Sequence, residues 1–174
     1  MPQLYMFSLG GNAGKSNIEV HDIQFVAADS VDQAIPFLRE AWFGDADKLH
    51  LDGYQVIRWV DGFDVVLKPE VATTDEKLWF VNVGGYAPHT LAELHDFDLF
   101  IAPTAEEAKA QALARLLVGS QQQHKDNLKE VDGHLLLETL QGYHVHLVKN
   151  PLGKRGQPDW QGYQPIGVAP SQTV

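Results

Sequence analysis

The sequence predicts an α+β protein made of two tandem ββαββ repeats related by pseudo-two-fold symmetry, with mostly antiparallel sheet and helices on one sheet face. Three observations predict it. Leu78 to Leu117 repeats the pattern of Leu4 to Phe43 without a gap, at an offset of 78 − 4 = 74. Each copy holds two strand-length apolar runs followed by one helix start. Each copy also ends in a two-residue turn with an aromatic strand behind it.

The repeat rests on identities spread across both copies: Leu4/Leu78, Gly10/Gly84, Gly11/Gly85, Ala13/Ala87, Glu19/Glu93, His21/His95, Asp22/Asp96, Ala28/Ala102 and Ala34/Ala108. The runs LYMFSL (4–9) and LWFVNV (78–83) are short and end in Gly-Gly, which suits buried strands. A second strand starts near Glu19 or His21. Alternation puts Glu19 and His21 on one face with Ile23, Phe25 and Ala27, while Asp22 and Gln24 face the other way.

Ser30 to Gln33 and Thr104 to Glu107 are capping-box helix starts, with a hydroxyl to cover an orphan N–H. Val31, Ala34, Ile35, Leu38 and Trp42 then share a helical face, and Pro36 should bend that helix. Ala105, Ala108, Ala112 and Leu116 form the narrower stripe of the second helix. Tyr54 to Val60 reads as a strand, Asp61-Gly62 as a turn that demands positive φ, and Phe63 to Leu67 as its return. In the second copy the turn falls at Gln141-Gly142, an offset of 142 − 62 = 80, which places six extra residues around Val131 to His134.

The organisation that follows is a first repeat over 1–70, a linker over 71–77, a second repeat over 78–150 packed with the first, and a Pro/Gly-rich tail over 151–174. The tail should run over the surface, with Trp160, Tyr163 and Ile166 as its anchors. Repeats of roughly seventy residues are marginal alone, so the two should share a core.

Composition excludes several functions. The 174 residues contain no cysteine, so disulfides, thiol catalysis and Cys-based metal sites are absent. Net charge is −10 with no basic stripe in any segment, which argues against nucleic acid and against anionic membrane surfaces. No signal-like N-terminus or spanning apolar stretch is visible, and a cytoplasmic location is expected.

Glu19, His21 and Asp22, with Glu93, His95 and Asp96, are the best functional constellation. Glu and His two apart on a strand project to one side, and a two-fold relation could gather Glu19, His21, Glu93 and His95 as ligands for a divalent metal. The same groups also serve as a structural lock, in which carboxylates satisfy buried imidazoles. His50-x-Asp52 and His124-x-Asp126 could supply bases oriented by carboxylates, or could cap chain ends in solvent at a helix-to-strand junction. His144 and His146 share a strand face that reads as solvated. Trp59, Trp79, Tyr54 and Tyr143 read as core. Gly10 to Ser16 resembles a phosphate loop, but its glycine spacing is wrong and no helix follows it.

The duplicated Gly-Gly and E-x-H-D, the His-x-Asp after the helix and the terminal PDWQGYQPI give the chain a resemblance to the bacterial family known as domain of unknown function 1543. That resemblance implies a bacterial origin and a two-copy organisation, and it carries no activity. The leading expectation is a non-enzymatic binding or interaction protein that contacts a small molecule or a protein between its halves. A metal-dependent, hydrolase-type enzyme is the second, and self-association as a homodimer through exposed sheet edges the third. No cofactor is required by the sequence.

Overall fold

The computed structural model describes residues 1–118 and 129–168. The first half runs β1 (Gln3–Gly11), β2 (Val20–Ala28), α1 (Val31–Ala41), β3 (His50–Val56), β4 (Trp59–Val60) and β5 (Phe63–Lys68). The second runs β6 (Lys77–Gly85), β7 (Leu94–Ala102), α2 (Ala105–Arg115), β8 (Lys129–Leu137), β9 (Thr139–Leu140) and β10 (Tyr143–Lys149), and β11 (Trp160–Pro165) follows. Mostly antiparallel sheet with two helices is an α+β fold, and the same order of elements occurs twice.

Both hairpins that open the halves share one register. Gln3 lies opposite Ala28 and Gly11 opposite Val20; Lys77 lies opposite Ala102 and Gly85 opposite Leu94. The Gly-Gly pairs therefore sit inside strands rather than beyond them. The helix starts behave as capping residues should: Ser30 Oγ accepts from the Gln33 amide and Thr104 Oγ1 from the Glu107 amide, each at 3.3 Å. Such caps contribute about 1 kcal/mol each. Pro36 lies within α1, which continues through it to Ala41.

Three sheets result, with orders β11-β3-β1-β2, β7-β6-β8 and β4-β5-β10-β9. The first carries α1 on its outer face, where Phe7, Leu9, Ala34, Leu38 and Trp42 pack together. The second carries α2 over Val81, Phe100, Ala108, Ala112 and Leu116. The inner faces meet in a cluster drawn from both halves, including Leu4, Phe25 and Ile57 from the first and Leu78, Leu99 and Leu137 from the second.

The third sheet joins the halves by hydrogen bonding, since β5 pairs with β10 from Phe63–Lys149 to Lys68–His144. Its hairpins turn at Asp61 (φ 47°) and Gly62 (φ 93°), and at Gln141 (φ 46°) and Gly142 (φ 81°). Positive φ at both central residues is the turn whose twist suits a tight hairpin. Arg115 at the end of α2 grips Asp61 with two hydrogen bonds of 2.9 and 2.8 Å, which ties the second helix to the first half.

Three expectations need correction. The strand expected over Tyr54 to Val60 begins earlier, at His50, and breaks before Trp59. The extra residues of the second half do not lie around Val131 to His134: Asp132-Gly133 occupies the register shift opposite Asn82/Val83 that Asp52-Gly53 occupies opposite Ser8/Leu9. They fall before Lys129. The tail is not only a surface coil, because β11 adds to the sheet edge at β3, pairing Trp160 with Tyr54 and Pro165 with His50. Ile166 is buried in the first-half core, and Arg39 donates to its carbonyl at 2.6 Å.

Candidate functional site

The first-half site is assembled across three strands. Gly10 on β1 is the register partner of both His21 on β2 and His50 on β3, so the two imidazoles flank a position with no side chain. Glu19, the residue before β2, reaches into the gap from the hairpin loop. Asp52 reaches in from the register shift of β3, the kind of irregularity that re-aims a side chain.

His50 Nε2 lies 2.7 Å from Glu19 Oε1 and 3.2 Å from Asp52 Oδ1. His21 Nε2 lies 3.6 Å from the second oxygen of each of the same carboxylates. Four side chains thus form a closed ring of alternating imidazole and carboxylate. His50 is its buried member, 4% exposed, while His21 opens to solvent. The Nδ1 of His50 faces the Lys48 carbonyl at 3.3 Å. A Cβ at Gly10 would stand 2.5 Å from His50 Nε2, 2.9 Å from Asp52 Oδ2 and 3.1 Å from Glu19 Oε1. Only glycine leaves room for the ring.

The second half repeats the device with one change. Gly84 pairs with His95 and with Glu130, so a carboxylate residue holds the register position of His50. His95 Nδ1 is 3.3 Å from Asp132 Oδ2, and its Nε2 is 3.8 Å from Glu93 Oε2. A Cβ at Gly84 would collide with the carboxylates of Glu93 and Asp132. The residue equivalent to Asp52 is therefore Asp132 and not Asp126; His124 and Asp126 lie outside the described residues.

Of the sequence candidates, Glu19, His21, His50 and Asp52 come together, as do Glu93 and His95 with Asp132. The expected gathering of Glu19, His21, Glu93 and His95 takes a different form. Each pair sits in its own half's cluster, but His21 and His95 line the same groove, of about 470 Å³. Ile23, Phe80 and Phe97 give that groove its apolar lining, with Asp22 and Asp96 beside the imidazoles. A smaller cavity of about 160 Å³ shares Ser8, Ile23 and Phe97 with it, is lined by Asp52, and is bordered by Pro158 and Gln161 of the tail.

His50 and Asp52 are not solvent-facing caps at a helix-to-strand junction, as one reading of the sequence had them; they are strand residues inside the cluster. His144 and His146 bind Thr139 Oγ1 (3.1 Å) and the Glu70 carbonyl (2.7 Å), contacts that hold structure. Sequence reasoning missed two residues. Asp132 is signalled by the shared Asp-Gly of Leu51-Asp52-Gly53 and Val131-Asp132-Gly133. Tyr163 falls in the register shift of β11, and its ring lies 4.5 Å from that of His50, tilted by 40°.

Among the described residues, no group of three or more His, Cys, Asp or Glu is arranged to hold a metal ion. No described helix is long and apolar enough to cross a membrane, which leaves strand-based crossing unaddressed.

A glycine-floored imidazole–carboxylate cluster thus occurs in each half of one α+β frame. This chain belongs to the family described as Domain of Unknown Function (DUF1543), whose model matches residues 16–67 and 90–147. Both matched segments contain the histidine and the carboxylates of their cluster. The chain is also similar to the crystal structure of a protein Il1583 from Idiomarina loihiensis, at 30% identity over 97% of this chain and 100% of that one, with a TM-score of 0.75. No curated protein matches the chain.

Proposed function

We propose that this protein is a non-enzymatic binding protein whose ligand lies in the groove between two pseudo-symmetric ββαββ repeats, 1–70 and 78–150, with tail residues 151–168 packed on the first and tied to the second through Arg155 and Asp98. The observation that carries this reading is that one imidazole from each repeat, His21 and His95, lines the same groove of about 470 Å³. That volume lies in the range of small-molecule sites, and an apolar wall with a few convergent polar groups is their usual composition.

A screen of small aromatic and aliphatic fragments by NMR tests it. Fragments should shift the resonances of His21, Ile23, His95 and Phe97, and Ile23→Trp should abolish those shifts while leaving the α2 core resonances in place. Fragments that bind elsewhere, or as well to Ile23→Trp, would remove the groove from consideration.

One observation favours a second reading, a metal-dependent enzyme of hydrolase type. Both nitrogens of His50 face oxygen acceptors, Lys48 O on one side and Glu19 and Asp52 on the other. If Nδ1 donates to the carbonyl, a proton or a cation belongs between Nε2 and the carboxylates. The donors stand at hydrogen-bonding spacing, so a metal would require Glu19 and His21 to turn inward. On this reading dialysis against zinc leaves stoichiometric metal on the protein and none on His50→Ala. Metal-free protein after dialysis, with an unchanged melting temperature in zinc, would sink it.

A further inference from the structure

We infer that the ligand of the groove is a linear aliphatic diamine or polyamine, held with one ammonium group at each repeat and its methylene chain across the middle. This rests on the groove reading above and names its ligand class. Three features carry it: the sign of the charge, the doubling of the polar end, and the apolar lining.

Among the described residues, neither the groove nor the cavity that continues it is bordered by a lysine or an arginine. Asp22, Asp96 and Asp52 border them directly, and Glu19, Glu93 and Asp132 stand beside the two imidazoles. Arg155, which borders a neighbouring pocket with Met6 and Gln55, is occupied. It forms hydrogen bonds of 2.6 and 2.8 Å to the two oxygens of Asp98, and that bonding raises its pKa above the ordinary value. An anionic ligand would meet repulsion without a counter-charge, whereas an ammonium group gains from several partly exposed carboxylates whose field adds along a confined channel. The chain's net charge of −10 draws a cation in the same sense.

Duplication supplies the second feature. His21 and Asp22 from the first half, and His95 and Asp96 from the second, line one groove, with Glu19 and Asp52 against the first imidazole and Glu93 and Asp132 against the second. A ligand with one ammonium group would satisfy one cluster and leave the other facing methylene. A diamine satisfies both, since each ammonium has three donors for carboxylate and imidazole acceptors.

The rest of the lining is mostly apolar. Ile23, Phe80 and Phe97 line the groove beside Ser8 and Asn82, with the Phe80 and Phe97 rings 5.6 Å apart and Phe25 packed edge-on to Phe80 at 5.2 Å. Methylene groups lose water against these rings, and an ammonium passing over an exposed aromatic face is also attracted to it.

Calorimetric titration of the intact protein with putrescine, spermidine, butylamine and succinate tests the assignment. Putrescine or spermidine should bind saturably and at least tenfold more tightly than butylamine, and succinate should not bind. Added salt should weaken the diamine. Asp22→Asn with Asp96→Asn should weaken it by roughly three- to tenfold. Equal affinity for butylamine and putrescine, or binding of succinate, overturns the diamine class while the fragment screen still locates a ligand groove. No heat with any amine, alongside groove-specific fragment shifts, overturns it too. A failed fragment screen overturns the groove itself.

Discussion

Leu78→Ala is expected to destabilise the protein by ~2–5 kcal/mol, the range for truncating a buried leucine, and to do so in both halves at once. Leu78 is 1% exposed and belongs to the cluster that also holds Leu4, Phe25 and Ile57 of the first half. The truncation leaves a cavity walled by both halves, so neither can keep its inner face intact alone. Hydrogen exchange read separately for β1 and β6 checks this. Protection should fall by the same factor in both strands, with a single thermal transition at lower temperature. A second-half transition that drops while β1 keeps its protection would show two independently stable bodies.

Gly10→Ala should cost ~1–3 kcal/mol from overpacking alone, with a further loss as the ring of side chains opens. The added methyl would stand 2.5 Å from His50 Nε2, against a buried imidazole that cannot retreat. The comparison is Gly14→Ala. Gly14 has φ +54° and nothing within 4 Å of its Cβ position, so the cost there is backbone strain without a clash. Only the Gly10 variant should shift the His50 and His21 ring resonances and expose His50 to solvent. Wild-type stability with unmoved imidazole signals in Gly10→Ala would mean that the ring has more slack than its distances indicate.

The fold was legible wherever periodicity and capping agreed. Val31, Ala34, Ile35, Leu38 and Trp42 share one helical face by their spacing, and all five pack in the α1 core. Ser30 and Thr104 cap as their sequence context requires. The two-residue turns were readable because so few residues accept positive φ twice in succession.

The site was half legible. Strand alternation put Glu19 and His21 on one face, but alternation says nothing about which neighbouring strand lies beside them. His50 read as a junction residue because the polar stretch before Tyr54 gives no apolar pattern, although His50 and Asp52 pair across β1. Asp132 is not legible because placing the six added residues around Val131 to His134 keeps the offset of 74 as far as His124 and Asp126, whereas the register of β8 puts them before Lys129. β11 was missed because proline and glycine weigh against strand; an edge strand tolerates them, since its outer side has no ladder to complete.

The pairing of β11 with β3 also has a consequence for how the chain is made. Trp160 must reach Tyr54, so 160 − 54 = 106 further residues leave the ribosome before that edge can be covered. At ordinary translation speed this is a wait of about 5–20 s. Throughout it the nascent first repeat presents a bare row of backbone donors and acceptors, a template for pairing with another nascent chain. The arrival of β11 is thus what ends that exposure.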